Sequence, residues 1–215
     1  MKTLAIFDLD GTLLNTIQDL GAATNYALEM HSQPVHSIDA YERMVGNGVR
    51  KLIERALPSE YANDAYIDRL LVDFKQYYND HMTDATRPYP GIPELLRELT
   101  DRGVAVAVAS NKYESAVQHL MEHYFPQIPF AAVCGNLEGF PAKPDPSIVF
   151  RVLTEHPTPK AEVLYIGDSG VDMETARRAC VDSVGVTWGF RPRRELVNSL
   201  AGTIVSEPSE ILALL

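Results

Sequence analysis

The chain has 215 residues, 46% of them hydrophobic, and its 19 basic and 29 acidic side chains leave a net charge of −10. That length is enough for one ordinary domain plus a smaller one around a real core. The acidic balance argues against a general nucleic-acid binder, which needs a basic surface. An anionic substrate stays open, because a local cation can outweigh the global sign. Cys134 and Cys180 match no zinc spacing and read as unreactive thiols, not as a disulfide. No signal-peptide pattern precedes Asp8, and no apolar run approaches the ~20 residues of a membrane span. The expectation is a cytoplasmic protein with no membrane or nucleic-acid partner.

Taken in chain order, short and partly β-branched apolar runs predict strands at 4–7, 104–109, 130–133, 163–166, 184–186 and 203–205. Helical periodicity fills most of the gaps. Ile92, Leu95, Leu96 and Leu99 repeat at i, i+3, i+4 and i+7, and Val117, Leu120, Met121 and Tyr124 do the same. Such alternation predicts an α/β fold with a mostly parallel, Rossmann-like sheet and helices on both faces. Residues from about Thr16 to His81 break the pattern. Ile17, Leu20, Thr24 and Leu28 share one helical face, Val49, Leu52, Ile53 and Leu57 another, and no strand intervenes. The prediction is an all-helical insertion over 16–83 in a core formed by 1–15 and 84–215, rejoined through the stiff stretch Arg87-Pro88-Tyr89-Pro90-Gly91.

Four chemically loaded stretches lie just past predicted strands, where ligands bind in open α/β sheets. They are Asp8-Leu9-Asp10-Gly11-Thr12, Ser110-Asn111, Lys143-Pro144-Asp145-Pro146 and Gly167-Asp168-Ser169-Gly170-Val171-Asp172. Singly, each has an ordinary explanation: Ser110 as a helix cap, Lys143 as a solvated cation, Asp168 and Asp172 as acids at a helix N-terminus. Together they gather Asp8, Asp10, Asp168 and Asp172, four carboxylates that cannot share one site unbalanced. A hard, oxygen-seeking dication answers that charge, and Mg²⁺ commonly sits between one or two carboxylates and a phosphate. Lys143 adds positive charge, and Thr12, Ser110 and free strand-end amides can donate to phosphate oxygens.

These four stretches, in this order, resemble the haloacid dehalogenase superfamily of aspartyl-phosphate hydrolases over the whole chain, with Asp8-x-Asp10-x-Thr12 the most specific motif. The helical insertion is similar to that family's α-helical cap. VGNGVRKLI, RPYPGI, SNK, KPDP and TWGF resemble the phosphoglycolate phosphatase-like group. The resemblance implies that Asp8 is the nucleophile, that Asp10 is the general acid and then the base, and that Ser110, Asn111 and Lys143 grip the phosphoryl group. It implies Mg²⁺ on the Asp8 carboxylate, the Asp10 carbonyl and Asp168, with Asp172 holding bound water or Lys143. Asn15 stands where relatives often carry an acid. It keeps hydrogen bonding without charge, and activity is expected to survive.

In the insertion, Gly46-Asn47-Gly48-Val49-Arg50-Lys51 is the candidate substrate loop: Asn47 and Gly48 would offer amides and Arg50 a fork for a carboxylate. Arg191 is a weaker candidate. Tyr77, Tyr78 and His81 read as packing residues, and His31 and His36 as loop residues. The expected partner is a small phosphorylated metabolite, with 2-phosphoglycolate foremost, and the chain a monomer or homodimer. A sugar phosphomutase or pyrophosphatase of the same superfamily is the nearest alternative. A phospho-acceptor signalling domain, which also pairs Asp with Ser/Thr and Lys, is the alternative from another class.

Overall fold

The structure is a computed structural model that describes all 215 residues. Its elements run β1 (Leu4–Phe7), β2 (Leu14–Asn15), α1 (Ile17–Met30), α2 (Ile38–Tyr41), α3 (Val49–Ala56), α4 (Asp64–His81), β3 (Arg87–Pro88), α5 (Ile92–Asp101), β4 (Ala105–Tyr113) and α6 (Glu114–Tyr124). They continue with β5 (Ala132–Asn136), α7 (Ser147–Glu155), β6 (Val163–Gly167), α8 (Gly170–Ala179), β7 (Asp182–Val186), α9 (Arg193–Asn198) and β8 (Thr203–Val205). Six strands form one all-parallel sheet in the order β5-β4-β1-β6-β7-β8. β1 lies at the middle, with Leu4–Phe7 in register with Ala105–Val108 on one side and Val163–Ile166 on the other.

Alternation along each strand divides the core into two layers. Ala5, Phe7, Val106, Val108, Leu164 and Ile166 face α5 and α6, which present Leu95, Leu96, Leu99, Val117 and Leu120. Leu4, Ile6, Ala107, Ala109, Val163 and Tyr165 face α7 and α8, which present Val149, Val152, Ala176 and Ala179. The strands beside β1 lead to opposite edges of the sheet, so the carboxyl ends of β1, β4 and β6 frame the switch point where such sheets bind ligands.

The predicted strands are present with shifted ends; β7, for one, begins at Asp182, two residues before the predicted start. β4 runs past Ala109 to Tyr113, so Ser110, Asn111 and Lys112 belong to the strand and do not follow it. Its register against β5 breaks between Ala109 and Tyr113. β5 begins at Ala132 because Phe130 is still in a turn, its N–H donating to Ile128 O at 3.0 Å.

Between β2 and β3 the chain forms only helices, α1 to α4. β2 and β3 pair antiparallel, Leu14 with Pro88 and Asn15 with Arg87, and so tie the outgoing chain to the returning one. Asn15 Oδ1 accepts from Ile17 N–H at 3.3 Å at the entry to α1. The helices bury Leu20, Ala27, Tyr41, Ile53, Leu70 and Phe74 in one apolar cluster continuous with the Phe7 face of the sheet. No helix is long and apolar enough to cross a membrane.

Where the helical segment rejoins the sheet, buried Asp19 of α1 accepts from Ala85 N–H at 2.9 and 3.1 Å and from Thr86 N–H at 2.8 Å. Removing the carboxylate strands two main-chain donors. Asp19→Ala is expected to lower unfolding free energy by about 2–3 kcal/mol, since hydrogen bonds to charged groups are worth ~1.5–3 kcal/mol. Urea denaturation checks this, with an unchanged m-value expected.

Candidate active site

Asp8 continues the line of β1, its N–H donating to Ile166 O at 2.9 Å, and its carboxylate emerges at the sheet's carboxyl edge. Lys143 enters from the loop between β5 and α7 and is almost fully buried. Its Nζ lies 2.9 Å from Asp8 Oδ1 and 2.7 Å from Asp172 Oδ1, and it also donates to Ala109 O at 3.1 Å and Tyr165 Oη at 3.2 Å. Burial alone would favour the neutral amine, but the Asp172 and Asp8 charges outweigh it and hold the ammonium well above the usual lysine range.

Asp172 is spent on structure. Its Oδ1 takes Lys143, and its Oδ2 accepts from Ser169 N–H at 3.1 Å and Ser169 Oγ at 2.6 Å in the capping box that starts α8. Asp168 Oδ2 accepts from Phe190 N–H at 2.7 Å. Asp8 Oδ2 and Asp168 Oδ1 therefore have no protein partner, although oxygens of Asp8, Asp168 and Asp172 all lie within 4.8 Å of one another. The packing beside Asp168 is close at two glycines. A Cβ on Gly11, whose φ is +82°, would sit 2.3 Å from Asp168 Oδ2, and one on Gly189 would sit 2.2 Å from Gly11 O.

Asp10 faces different partners. Its Oδ1 accepts from Thr16 Oγ1 at 2.7 Å and lies 3.0 Å from Lys112 Nζ. Four carboxylates thus face two ammonium groups, Lys112 and Lys143, leaving a surplus of two negative charges. Burial, followed by the Asp172 charge, pushes the Asp8 carboxyl up to about 7, with Lys143 offsetting part of the rise. Burial, Asp172 and Asp8 also hold Asp168 well above the carboxylate range. Two buried carboxylates with free oxygens and an unmet charge of two fit a divalent cation.

Above Asp8 and Asp10 lies a cleft with about 450 Å³ of atom-free space, part of it open to solvent. Ser110, Asn111, Lys112 and Tyr113 of β4 line it from the sheet, and Leu20, Val45, Gly46, Gly48, Leu52, Phe74 and Tyr78 line it from the helical segment. Ser110 is buried, and its Oγ accepts from Lys112 N–H at 3.3 Å. Thr12 is buried with its hydroxyl unpartnered, while its carbonyl accepts from Trp188 Nε1 at 3.1 Å.

Several expected binding residues are used otherwise. Arg50 does not reach the cleft: its half-exposed guanidinium pairs with Asp64 at 2.9 Å and with Asp68, both on α4. Asn47 also lies outside the cleft, its Oδ1 accepting from Arg55 at 2.7 Å. Asn111 lines the cleft, but its amide is committed. Nδ2 donates to Gly46 O at 3.0 Å and Lys143 O at 3.1 Å, and Oδ1 accepts from Lys143 N–H at 2.7 Å. Arg191 reaches the carbonyls of Glu42 and Val45 and so fastens the helical segment to the sheet. The sequence reading passed over Lys112 as a site residue and treated Tyr78 as packing alone. For Lys112 the signal was its position directly after Ser110-Asn111.

The sequence profile of the haloacid dehalogenase-like hydrolases matches residues 5–186. The chain belongs to the haloacid dehalogenase-like hydrolases. Similar relatives of this hydrolase include the phosphoglycolate phosphatase of Agrobacterium fabrum, 36% identical over 193 residues that cover 88% of this chain and 82% of that protein. Another is the phosphoglycolate phosphatase of Mesorhizobium japonicum, 32% identical over 194 residues and covering 89% and 86%. A crystal structure from Lactobacillus delbrueckii subsp. bulgaricus, provisionally assigned as a phosphoglycolate phosphatase, superposes with a TM-score of 0.92 at 33% identity, covering 98% of this chain and 97% of that one.

For this hydrolase the raised Asp8 pKa has a consequence for stability. An unfolded Asp8 deprotonates near its ordinary value of 3.8, while the folded, metal-free group keeps its proton to about 7. The folded state therefore binds more protons over that window, and its stability falls as pH rises from about 4 to about 7. In chelator, wild-type Tm is expected to drop relative to Asp8→Asn across that range, measured by thermal denaturation; parallel curves would remove Asp8 as the cause.

Proposed function

We propose that the protein is a Mg²⁺-dependent phosphatase that hydrolyses small phosphate monoesters, 2-phosphoglycolate foremost, through an aspartyl-phosphate on Asp8. The observation that carries this reading is the buried Asp8–Lys143–Asp172 bridge beside two unpartnered carboxylate oxygens. The names of the relatives support the substrate.

In this reading Asp8 attacks phosphorus in line, the ester P–O bond breaks, and Asp10 gives its proton to the departing alkoxide. Asp10 then takes a proton from the water that attacks the phosphoenzyme, releasing phosphate and freeing Asp8. Lys143 places positive charge beside the attacking oxygen, and the hydroxyls of Ser110 and Thr12 can donate to phosphoryl oxygens. Mg²⁺ would be held by the Asp8 and Asp168 carboxylates and the Asp10 carbonyl, and would supply positive charge against the phosphoryl oxygens. Residues 16–83 act as a cap that excludes water and shapes the cleft, over a core formed by 1–15 and 84–215.

Hydrolysis of p-nitrophenyl phosphate is expected to require Mg²⁺ and to stop on chelation. Asp8→Asn removes the nucleophile and is expected to abolish turnover with the fold intact by circular dichroism. Asp10→Asn is expected to slow turnover by roughly 10²–10⁴-fold, the usual share of general acid–base catalysis. Phosphate-labelled enzyme should accumulate in that variant. Metal-independent turnover by intact protein, or full activity of Asp8→Asn, would overturn the mechanism.

A further inference from the structure

Tyr78 of α4 is fully buried, lines the cleft above Asp10, and has a hydroxyl with no hydrogen-bond partner. Buried hydroxyls are rarely left unpaired, because they forgo the bonds that water would give them. The ring cannot turn freely to find one. It stacks on Phe74 at 5.4 Å between centroids and meets Tyr113 edge-on at 6.5 Å. Burial and the Asp10 charge hold the phenol well above its usual pKa, so it remains a donor.

Lys112 lies beside it. Its Nζ stands 4.9 Å from the Tyr78 ring centroid and 3.0 Å from Asp10 Oδ1, and its side chain is 3% exposed. An ammonium has three N–H groups, and Asp10 takes one. Among the residues lining the cleft, Lys112 carries the positive charge, since Arg50 is engaged with Asp64 and Asp68. Of the other polar side chains there, Asn111 is committed to Gly46 and Lys143, the Tyr113 hydroxyl donates to Asn79 Oδ1 at 2.8 Å, and Ser110 Oγ accepts from Lys112 N–H at 3.3 Å and keeps its hydrogen for the phosphoryl group. The remaining walls toward the helices are apolar: Leu20, Val45, Val49, Leu52 and Phe74.

We propose that Lys112 and Tyr78 form the specificity subsite for the alcohol portion of the substrate, and that they select a carboxylate. Both offer donors and the one positive charge lining the cleft is that of Lys112, so an acceptor-only anion suits the pair best. The contact between Lys112 and Asp10 sets the reach. Asp10 serves the ester oxygen, so the carboxylate must lie within a few atoms of that oxygen, as in a phosphorylated short 2-hydroxy acid. The assignment rests on the phosphatase reading for the position of the ester, and it transfers to Lys112 and Tyr78 the selection that charge along the chain had placed on Arg50.

The test separates the two readings. With wild type, Tyr78→Phe and Lys112→Met at saturating Mg²⁺, kcat/KM is measured for 2-phosphoglycolate and for p-nitrophenyl phosphate. The ratio of the first to the second is expected to fall roughly tenfold in Tyr78→Phe, the equivalent of one buried hydrogen bond, and further in Lys112→Met. Unchanged ratios, or a loss equal on both substrates, would overturn the subsite. A second measurement does not depend on turnover. In the Asp8→Asn background, calorimetry compares 2-phosphoglycolate with ethyl phosphate, which lacks the carboxylate. A preference for 2-phosphoglycolate that shrinks on adding Tyr78→Phe supports the subsite even if the wild type hydrolyses neither ester. Equal affinity for the two ligands rejects it even if hydrolysis proceeds as proposed.

Discussion

The site depends on burying one ammonium group between two carboxylates. A buried ion pair is costly unless its remaining hydrogen-bonding groups are met as well. Here Lys143 Nζ has Asp8, Asp172, Ala109 O and Tyr165 Oη around it, so no N–H is left over. The main chain of the same residue is held at both ends by the Asn111 amide, which binds Lys143 N–H and Lys143 O together. A loop residue is thereby fixed as firmly as a strand residue. Asp172 is aligned from the other side by the cap of α8. The bridge couples β1, β4, the β5–α7 loop and α8, and Asp8 is positioned by all of them.

The roof of the cleft is placed by main-chain contacts from the same floor. Asn111 reaches Gly46 O, and Arg191 reaches the carbonyls of Glu42 and Val45. Close approach is possible because the loop is glycine-rich there: a Cβ on Gly48, whose φ is +83°, would lie 3.3 Å from Asn111 O. The carbonyls of Glu42, Val45 and Gly46 thus locate this loop, together with the buried Val45 side chain. Asn47 and Arg50 are free to serve the outer surface, where Arg55, Asp64 and Asp68 take them up. The helical segment contributes mainly apolar wall and one phenol to the cleft.

What the sequence revealed divides along this line. Asp8 and Asp168 were legible because several charged strand ends must meet in a parallel sheet, and Lys143, on the loop after β5, because that gathering of carboxylates calls for positive charge. The strands were legible because LAIF and VLYI are buried on both faces and read as unbroken apolar runs. Lys112 was passed over, although it directly follows Ser110-Asn111. A lysine after a strand is ordinarily solvated, and this one is buried only because β4 continues past Ala109 with a broken register and carries it under Tyr78. Tyr78 sits at helical spacing from Phe74, which marks a packing face equally well. Arg50 misled because the acids that take it up lie on α4, and pairing across helices leaves no trace in local spacing.

The surplus of negative charge also constrains how a phosphate ester can enter. The whole chain is acidic, with a net charge of −10, and two of those charges lie unmatched at the cleft floor, where the proposed reaction puts the phosphoryl group. A phosphate dianion approaching that floor is repelled, and low-dielectric walls strengthen the repulsion. Lys143 cannot relieve it alone, because its charge is already divided between Asp8 and Asp172. Protonating Asp8 would relieve it, but a protonated carboxyl is a poor nucleophile, so a proton would quiet the repulsion at the expense of the proposed attack by Asp8. A dication on the free oxygens of Asp8 and Asp168 cancels the same charge and leaves Asp8 ionised. In the proposed reaction a cation would neutralise the floor and still leave Asp8 able to attack phosphorus, which a proton on Asp8 would not.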